Sequence, residues 1–363
     1  MGNTYGVFCT TYASATCNTV TTIKHNHHRL RRGIIKSFFL KKYVTGLEHV
    51  VQNEVNLLAS RFTEAYHHGT VLDLKYVFAA LTSDLTTHYV RISKNDFLAG
   101  MDSVDPWIPV LLVFGRLLKL AGYFPACLVS AGEFLHLWTF DNGTMGDQKT
   151  LLQAMATADI PEEEKTATRL QVETLNIIAG GTETTARALA VGVFHLAHKP
   201  SLLLQLRDEL RTVMPFPDSL ASCTQLEQLP YSYLVCSRGL LPCPTHTLTP
   251  VTPISQSAYF VCMDPSIFPQ PDDFNPDRWV QAARDGNKLH RYLIVFNKGS
   301  RHCLGINFAL AEIYLAIATV ARRFDLVPYQ TTVEQLQMKR DLGFTAPEKG
   351  PFTVRAKVTG LAD

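Results

Sequence analysis

The ten residues from Phe296 to Gly305 constrain this chain more than any other segment, and they stand directly before an apolar helical segment. Gly299, Cys303 and Gly305 occur there at fixed spacing, with Arg301 between them. Gly299 can adopt a positive φ, and Gly305 lets a flat body approach the backbone closely. Amides at a helix start favour the thiolate form of a nearby cysteine, and Arg301 is placed to meet an anionic group. The residues alone leave two interpretations, a ligand-binding thiolate or a structural cysteine.

A second unusual segment is the long predicted helix from Glu163 to His198, which contains Gly180 and Gly181 in its middle. Glycine in a helix costs about 1 kcal/mol relative to alanine, so the pair indicates a packing or functional reason. The hydroxyl of a threonine that follows, such as Thr184, can bond back to a preceding carbonyl and loosen the helix. A close crossing of two helices over small residues explains the glycines equally well.

Most of the chain is predicted to be helical, with a small β region, in a single domain of residues 25–363 preceded by an irregular segment, 1–24. Besides the long helix, hydrophobic periodicity predicts helices at 28–43, 45–66, 72–89, from Pro200 onward, and 304–324. Prolines become frequent from Pro242, which indicates loops and short strands. The C-terminal tail predicts a hairpin that turns at Lys349-Gly350 and buries Phe352, Val354 and Ala356.

The overall composition excludes several classes of function. A formal net charge of +2 over 363 residues gives no indication of nucleic-acid binding. The eight cysteines form no CxxC pair, which favours a reducing compartment. The N-terminus lacks the apolar core of a signal peptide. The most apolar stretch, 106–132, is interrupted by Arg116 and Lys119, so we interpret it as amphipathic helix and not as a membrane span.

The spacing FxxGxRxCxG in Phe296–Gly305 resembles the heme-binding signature of the cytochrome P450 family. This resemblance implies that Cys303 is the axial ligand of a heme iron, and therefore the metal ligand of the chain. It implies that the other signature residues help to bind the heme: Phe296, Gly299, Arg301 and Gly305.

Residues 179–184, Ala-Gly-Gly-Thr-Glu-Thr, resemble the [AG]Gx[DE]T segment that forms a dioxygen groove over the heme in that family. By this resemblance Gly180 and Gly181 line the groove beside the cofactor. Thr184 would donate a hydrogen bond to dioxygen, and Glu183 would help to relay protons. These two residues are the expected catalytic groups.

Two further segments resemble the same family. Phe274–Trp279 resembles its PERF element, in which Arg278 would be a structural arginine. The segment His28-Arg29-Leu30-Arg31-Arg32 resembles the helix whose WxxxR motif holds a heme propionate, with His28 in the tryptophan position and Arg32 in the arginine position. The neighbouring histidines from His25 to His28 do not converge on one ion in a helix, so we do not interpret them as a metal site.

The resemblance implies a mainly α cytochrome P450 fold, incomplete at the N-terminus, that binds heme b. Its implied reaction inserts one oxygen atom from O2 into an apolar small molecule, and the fungal style of the sequence suggests a terpenoid or polyketide intermediate. A thiolate ligand favours O–O cleavage. Electrons would come from a separate NADPH-cytochrome reductase, since no G-x-G-x-x-G segment occurs here. The implied location is the surface of the endoplasmic reticulum membrane, or the cytoplasm if the family's membrane anchor is absent.

Two departures from the family pattern keep other functions open. The basic segment at His28 begins only after residues 1–24, where the family has an anchor and its first strands and helices. In Leu229–Leu241, Arg238 stands in the position of the ExxR glutamate and Leu241 in that of its arginine. Losing one partner of a buried ion pair typically costs about 3–5 kcal/mol. The alternatives are therefore a heme isomerase or dehydratase, and an inactive or heme-free remnant from a faulty gene model or a decaying gene.

Overall fold

The computed structural model describes residues 18–91, 96–100, 150–229, 258–292, 294–337, 339–341 and 345–362. The α-helices are α1 His25–Lys36, α2 Lys41–Gly46, α3 Glu48–His68, α4 Leu74–Arg91, α5 Leu151–Ala156, α6 Ala167–His198, α7 Pro200–Arg211, α8 Cys223–Glu227, α9 Ala258–Cys262, α10 Asp277–Arg284 and α11 Ile306–Arg323. The strands are β1 Val71–Asp73, β2 Phe324–Pro328, β3 Arg340–Asp341, β4 Thr345–Ala346 and β5 Arg355–Leu361. Short 3-10 helices cover Ser37–Phe39, Glu162–Glu164, Leu289–Tyr292, Gly299–Arg301 and Glu334–Leu336.

Helix α6 is the central element of the fold. It packs along α4 on one side and against α11 on another, within one continuous hydrophobic core. Thr166 caps its N-terminus by accepting a hydrogen bond from the Arg169 amide. Its C-terminus comes directly before Pro200, whose ring cannot continue the same helix. The core thus holds the glycine pair in a helix that is packed on two sides.

A small antiparallel sheet closes one end of the helical layer. Strand β5 lies between β1 and β2, with Leu72 opposite Ala356 and Val327 opposite Lys357. Side chains alternate along the strand that leads into this sheet, because Val354 and Ala356 are buried and Arg355 is exposed. The predicted alternation at the C-terminus is therefore confirmed.

The predicted C-terminal hairpin is wrong, although Gly350 has the positive φ of a turn, 72°. Strand β4, before the turn, pairs with β3, whereas β5, after the turn, pairs with β1 and β2. The local sequence predicts the turn but not the pairing, since β5 pairs with residues of β2 that lie about thirty residues earlier in the chain. The pairing partner of a strand depends on the whole sheet, whereas a turn depends only on its own residues.

The predicted helices are present, but their ends are shifted. The segment 28–43 divides into α1, a 3-10 turn and the start of α2, and the predicted long helix begins at Ala167 after a separate 3-10 turn. Residues 18–24 form turns without regular structure. Within the described residues, none of the helices combines the length and the apolar character needed to span a bilayer. The predictions for 1–17, for the apolar stretch 106–132 and for Arg238 and Leu241 lie outside the described residues.

Candidate active site

The loop that carries Cys303 is closed by its own backbone. The Cys303 amide donates to the Phe296 carbonyl at 2.7 Å, and the Asn297 amide donates to Ile294 at 2.8 Å. Asn297 and Gly299 both have positive φ, 57° and 74°, which confirms the conformation predicted for Gly299. The thiol is therefore presented by a tight loop directly before α11.

Gly305 caps the start of α11 and faces an aromatic ring. A Cβ atom at this position would lie 4.0 Å from two atoms of the Phe39 ring, which is ordinary van der Waals contact. The side chain of Asn307, in the first turn of α11, also donates to the Phe39 carbonyl at 2.8 Å. The segment after α1 thus supports the loop at the glycine where the family resemblance places the heme.

Burial dominates the electrostatics of the Cys303 thiol. It raises the pKa of this half-buried group above its ordinary value of 9.0. A hydrogen bond from the Gly305 amide and the charge of Arg32 both act to lower the pKa. The amide at the helix start therefore acts in the predicted direction, toward the thiolate, while burial opposes it and has the larger effect.

Arg32, on α1, reaches the residue next to the thiol. One of its guanidinium nitrogens lies 3.2 Å from Nε2 of His302, whose Nδ1 lies 2.8 Å from the Gly299 carbonyl. A carbonyl can only accept, so Nδ1 carries the proton and Nε2 accepts from Arg32. This pairing places the guanidinium beside the Cys303 loop.

Arg301 and His28 complete a basic cluster with Arg32. The Arg301 guanidinium donates to the carbonyls of Thr22 at 2.6 Å and Ile23 at 3.2 Å. Burial, together with the charges of Arg301 and Arg32, lowers the pKa of His28 to about 4. The structure therefore brings Arg301, from a distant part of the chain, to His28 and Arg32 on α1, and the repulsion between the two guanidinium groups favours an anionic ligand.

The two glycines of α6 have different surroundings. A Cβ atom on Gly181 would lie 2.6 Å from the Thr86 hydroxyl oxygen on α4, so this glycine is required by the helix crossing. Among the described residues, no neighbouring atom lies within 4 Å of a Cβ atom built on Gly180. Thr184 is exposed one turn later, and its hydroxyl donates to the Gly180 carbonyl at 2.6 Å, as predicted for a threonine here. The interpretation as a close helix crossing therefore applies to Gly181, whereas the functional interpretation of Gly180 stays a prediction.

Glu183 lies on the opposite, buried side of α6. Its carboxylate is 2.5 Å from Nε of Arg187 and 3.5 Å from Nζ of Lys75 at the start of α4. Among the described residues, no hydrogen bond or ion pair joins Glu183 or Thr184 to the Cys303 loop. Sequence reasoning missed both cations. The i,i+4 spacing of Glu183 and Arg187 was available as a signal, whereas Lys75 is far away in the chain.

Glu312 is a further buried carboxyl that sequence reasoning missed. It lies on α11, is fully buried, and its pKa is raised well above 4.5 by this burial. Thr185 on α6, next to Thr184, is a polar neighbour that acts in the opposite direction. The signal was a single acidic residue within the apolar run of α11.

Arg278 has the structural role that the sequence predicted. Its guanidinium donates to the carbonyls of Asn275, Gln270 and Asp273 at 2.9 to 3.2 Å and so stabilises its own loop. The Phe274 ring in this segment stacks on His195 of α6, with ring centroids 4.3 Å apart.

The donor set fits a heme. A thiol in a glycine-closed loop can ligate iron, and the basic cluster of Arg32, Arg301 and His28 suits anionic propionates. The fold and the site together define the class of heme-thiolate proteins.

Comparisons with known proteins identify the family. The model of the cytochrome P450 family matches residues 137–237 and 249–354. The chain is 79% identical to cytochrome P450 monooxygenase aflU of Aspergillus parasiticus, over 95% of this chain and 77% of that protein. It is 33% identical to cytochrome P450 monooxygenase pbrB of Penicillium brasilianum, with the same coverage. The chain therefore belongs to the cytochrome P450 family and is a monooxygenase of the fungal secondary-metabolism type.

The fold comparison agrees. The crystal structure of a cytochrome P450, CYP102L1, superposes with a TM-score of 0.71, covering 98% of this chain and 84% of that chain at 18% identity. The family match is interrupted at 238–248, and the alignment with aflU is 385 residues long, more than the 363 residues of this chain. The relative thus carries residues within the aligned range that have no counterpart here.

Proposed function

We propose that the chain binds heme b through Cys303 and inserts one oxygen atom from O2 into an apolar terpenoid or polyketide intermediate. The observation that carries this proposal is the glycine-closed Cys303 loop with Arg32, Arg301 and His28 beside it. Heme, when bound, supplies the reductive activation of dioxygen. The chain's own residues hold the cofactor, orient it and handle protons.

The basic cluster neutralises the propionates. Arg32 and Arg301 can each offer planar guanidinium donors to a carboxylate, and His28, whose pKa is about 4, is neutral near pH 7 and donates one N–H. Propionate binding also relieves the repulsion between the two guanidinium groups. Phe296, Gly299 and Gly305 contribute through the shape of the loop and not through charge.

The exposed face of α6 provides the oxygen side of the site. Gly180 leaves space beside the helix, and Thr184 can turn its hydroxyl from the Gly180 carbonyl toward that space. Glu183, one residue earlier, is held by Arg187 and Lys75. We propose that Thr184 donates a hydrogen bond to dioxygen. We also propose that Glu183, held by Arg187 and Lys75, exchanges protons with water.

We base the electron donor and the location on the family, and the class of substrate on one relative. We propose an NADPH-cytochrome reductase as the partner, at the surface of the endoplasmic reticulum membrane. A relative from Penicillium rubens that is 31% identical over 93% of this chain is named conidiogenone synthase, which supports a small-molecule substrate of fungal biosynthesis.

The test is the absorption spectrum of the purified chain after addition of hemin, reduction and exposure to carbon monoxide. We expect the strongly red-shifted Soret band of a thiolate-ligated complex for the wild type, and its loss in Cys303→Ala. Cys262→Ala, which changes a half-buried cysteine elsewhere, serves as the matched control and keeps the band. A wild type that binds no hemin, or that shows only a thiolate-free band, contradicts the proposal and supports the heme-free alternative.

A further inference from the structure

A buried ion-pair network lies beside the basic cluster, on the side of α1 that carries His27 and Arg31. Arg31 binds Glu164 through two parallel contacts, Nε to Oε2 at 2.7 Å and Nη2 to Oε1 at 2.8 Å. Its third nitrogen donates to the Thr22 hydroxyl at 2.8 Å. His27, from the same helix, reaches the same carboxylate at 2.5 Å. Glu164 is therefore the common partner of His27 and Arg31.

Glu164 also ties α1 to the start of α6. It belongs to the 3-10 turn Glu162–Glu164 and lies 3.3 Å from Nε of Arg169, in the first turn of α6. Arg169 lies 2.6 Å from Glu173, whose carboxylate accepts the Thr19 amide at 2.8 Å. Two arginines and two carboxylates are thus balanced in a buried site. The contacts hold the pKa of Glu164 at about 2, so it is ionised at neutral pH.

Helix α1 depends on this network for its position. The buried residues of α1 are His28, Arg31 and Ile35, so an aliphatic side chain supplies only one of the three. Lys24, at its N-cap position, makes no side-chain cap hydrogen bond. A helix with so little apolar anchoring takes its orientation from its bidentate ion pair.

The orientation of α1 decides where the basic cluster points. Consecutive residues are rotated by about 100° around a helix, so the direction of Arg31 fixes that of Arg32. His28 lies one turn before Arg32, on the same face. The network also extends to Arg301, because Arg31 donates to the Thr22 hydroxyl and Arg301 donates to the Thr22 carbonyl.

We propose that Glu164 is a positioning residue for the propionate site: by holding Arg31, it aims Arg32 and His28 at the Cys303 loop. This inference rests on the proposed function, because it assigns the anion that the basic cluster receives. Glu164 acts through α1 and needs no contact with the cofactor.

The first arm of the test is a double-mutant cycle on the dissociation constant of hemin, measured by absorbance titration. We expect Glu164→Gln and Arg32→Gln each to weaken binding roughly 10-fold or more. If Glu164 acts through Arg32, the double variant binds little worse than Arg32→Gln alone. Glu162→Gln is the matched control, since Glu162 lies in the same turn, is 87% exposed and pairs with Lys165. Factors that simply multiply, or an unchanged affinity of Glu164→Gln, overturn the inference.

The second arm uses hydrogen exchange in protein without added hemin. In Glu164→Gln we expect faster exchange in α1 and residues 18–24, with α11 unchanged, and Glu164→Asp should recover part of the protection. Faster exchange throughout the molecule would show a general stabilising role and overturn the inference. A wild type that binds no hemin overturns the proposed function, and the exchange measurement then decides alone whether Glu164 orders α1.

Discussion

The Cys303 loop and the middle of α6 both carry family motifs, but different physical forces hold them. The loop is largely exposed and is closed by short-range backbone hydrogen bonds such as that from Cys303 to Phe296. The middle of α6 is buried on two sides and is fixed by side chains from other helices, such as Thr86 and Lys75. The loop is a local structure, whereas the helix segment depends on the whole fold.

This difference explains what a sequence can predict. The five signature positions of the loop lie within ten residues, so their spacing alone predicts a turn with a positive φ at Gly299. The role of Gly181 depends on Thr86, almost a hundred residues earlier, and only the structure shows that contact. Substitutions in the two regions should therefore differ in their effects on the free energy of unfolding and on hemin affinity.

The largest expected effect comes from Glu183→Ala in α6. Lys75 and Arg187 are 10% and 15% exposed, so the change leaves two poorly solvated cations without this carboxylate. We expect the free energy of unfolding to fall by about 3–5 kcal/mol in urea titrations. The exposed pair of Lys199 and Asp273 is the control, and Asp273→Ala should cost at most about 1 kcal/mol. Similar losses for the two variants would mean that burial does not distinguish the pairs.

The sequence predicted the residues of the site better than their partners. The helices, the Cys303 loop, the back-bonded Thr184 and the structural Arg278 were predictable because each depends on neighbours within about eight residues. The pairing of β5 and the net pKa direction of Cys303 were not, because they depend on distant strands and on burial.

The protonation state of individual acidic residues was equally hard to predict. Glu164 ends an acidic 3-10 turn and Glu312 is the single acidic residue of the apolar helix α11, but these local sequences do not predict the protonation state of either one. The first is ionised because three basic side chains surround it, whereas the second has a strongly raised pKa because α11 buries it completely. The identity of the packed neighbour decides the protonation state.

The next largest expected effect is on the pH dependence of the free energy of unfolding, which Glu312, buried on α11, should change. Its folded pKa lies above the ordinary 4.5, so the unfolded chain loses the proton first as the pH rises. Stability is therefore lost above pH 4.5, by about 1.4 kcal/mol for each pH unit up to the folded pKa. Relative to Glu312→Gln, the wild type should lose stability as the pH rises from 4.5 to 6. Urea unfolding of both proteins at the two pH values measures it, and a constant difference would show that Glu312 is ionised in the fold.

A smaller effect should come from Gly181→Ala, which tests the contact between α6 and α4. The new methyl group would meet the Thr86 hydroxyl oxygen at 2.6 Å and its methyl carbon at 3.0 Å. We expect a loss of about 1–3 kcal/mol from overpacking, measured by urea unfolding. Gly180→Ala should be neutral or stabilising by up to about 1 kcal/mol, since nothing lies within 4 Å there. Adding Thr86→Ala should recover part of the loss, and equal effects at the two glycines would contradict the assignment.

The smallest expected effect is at Gly299→Ala, where the same substitution tests the backbone of the Cys303 loop and not its packing. A Cβ atom on Gly299 meets nothing within 4 Å, but φ is 74°, so the cost is conformational and about 1 kcal/mol. Gly46→Ala, at a helical glycine of α2 where no described residue lies within 4 Å of the Cβ position, controls for the added methyl group, and Ser300→Ala controls for a change within the loop. Because the strain falls on the loop, the hemin affinity of Gly299→Ala should drop by more than its free energy of unfolding accounts for. If the variant instead loses stability and hemin affinity in the same proportion as Gly181→Ala, the loop is held by the rest of the fold, and the contrast between local and long-range constraint fails.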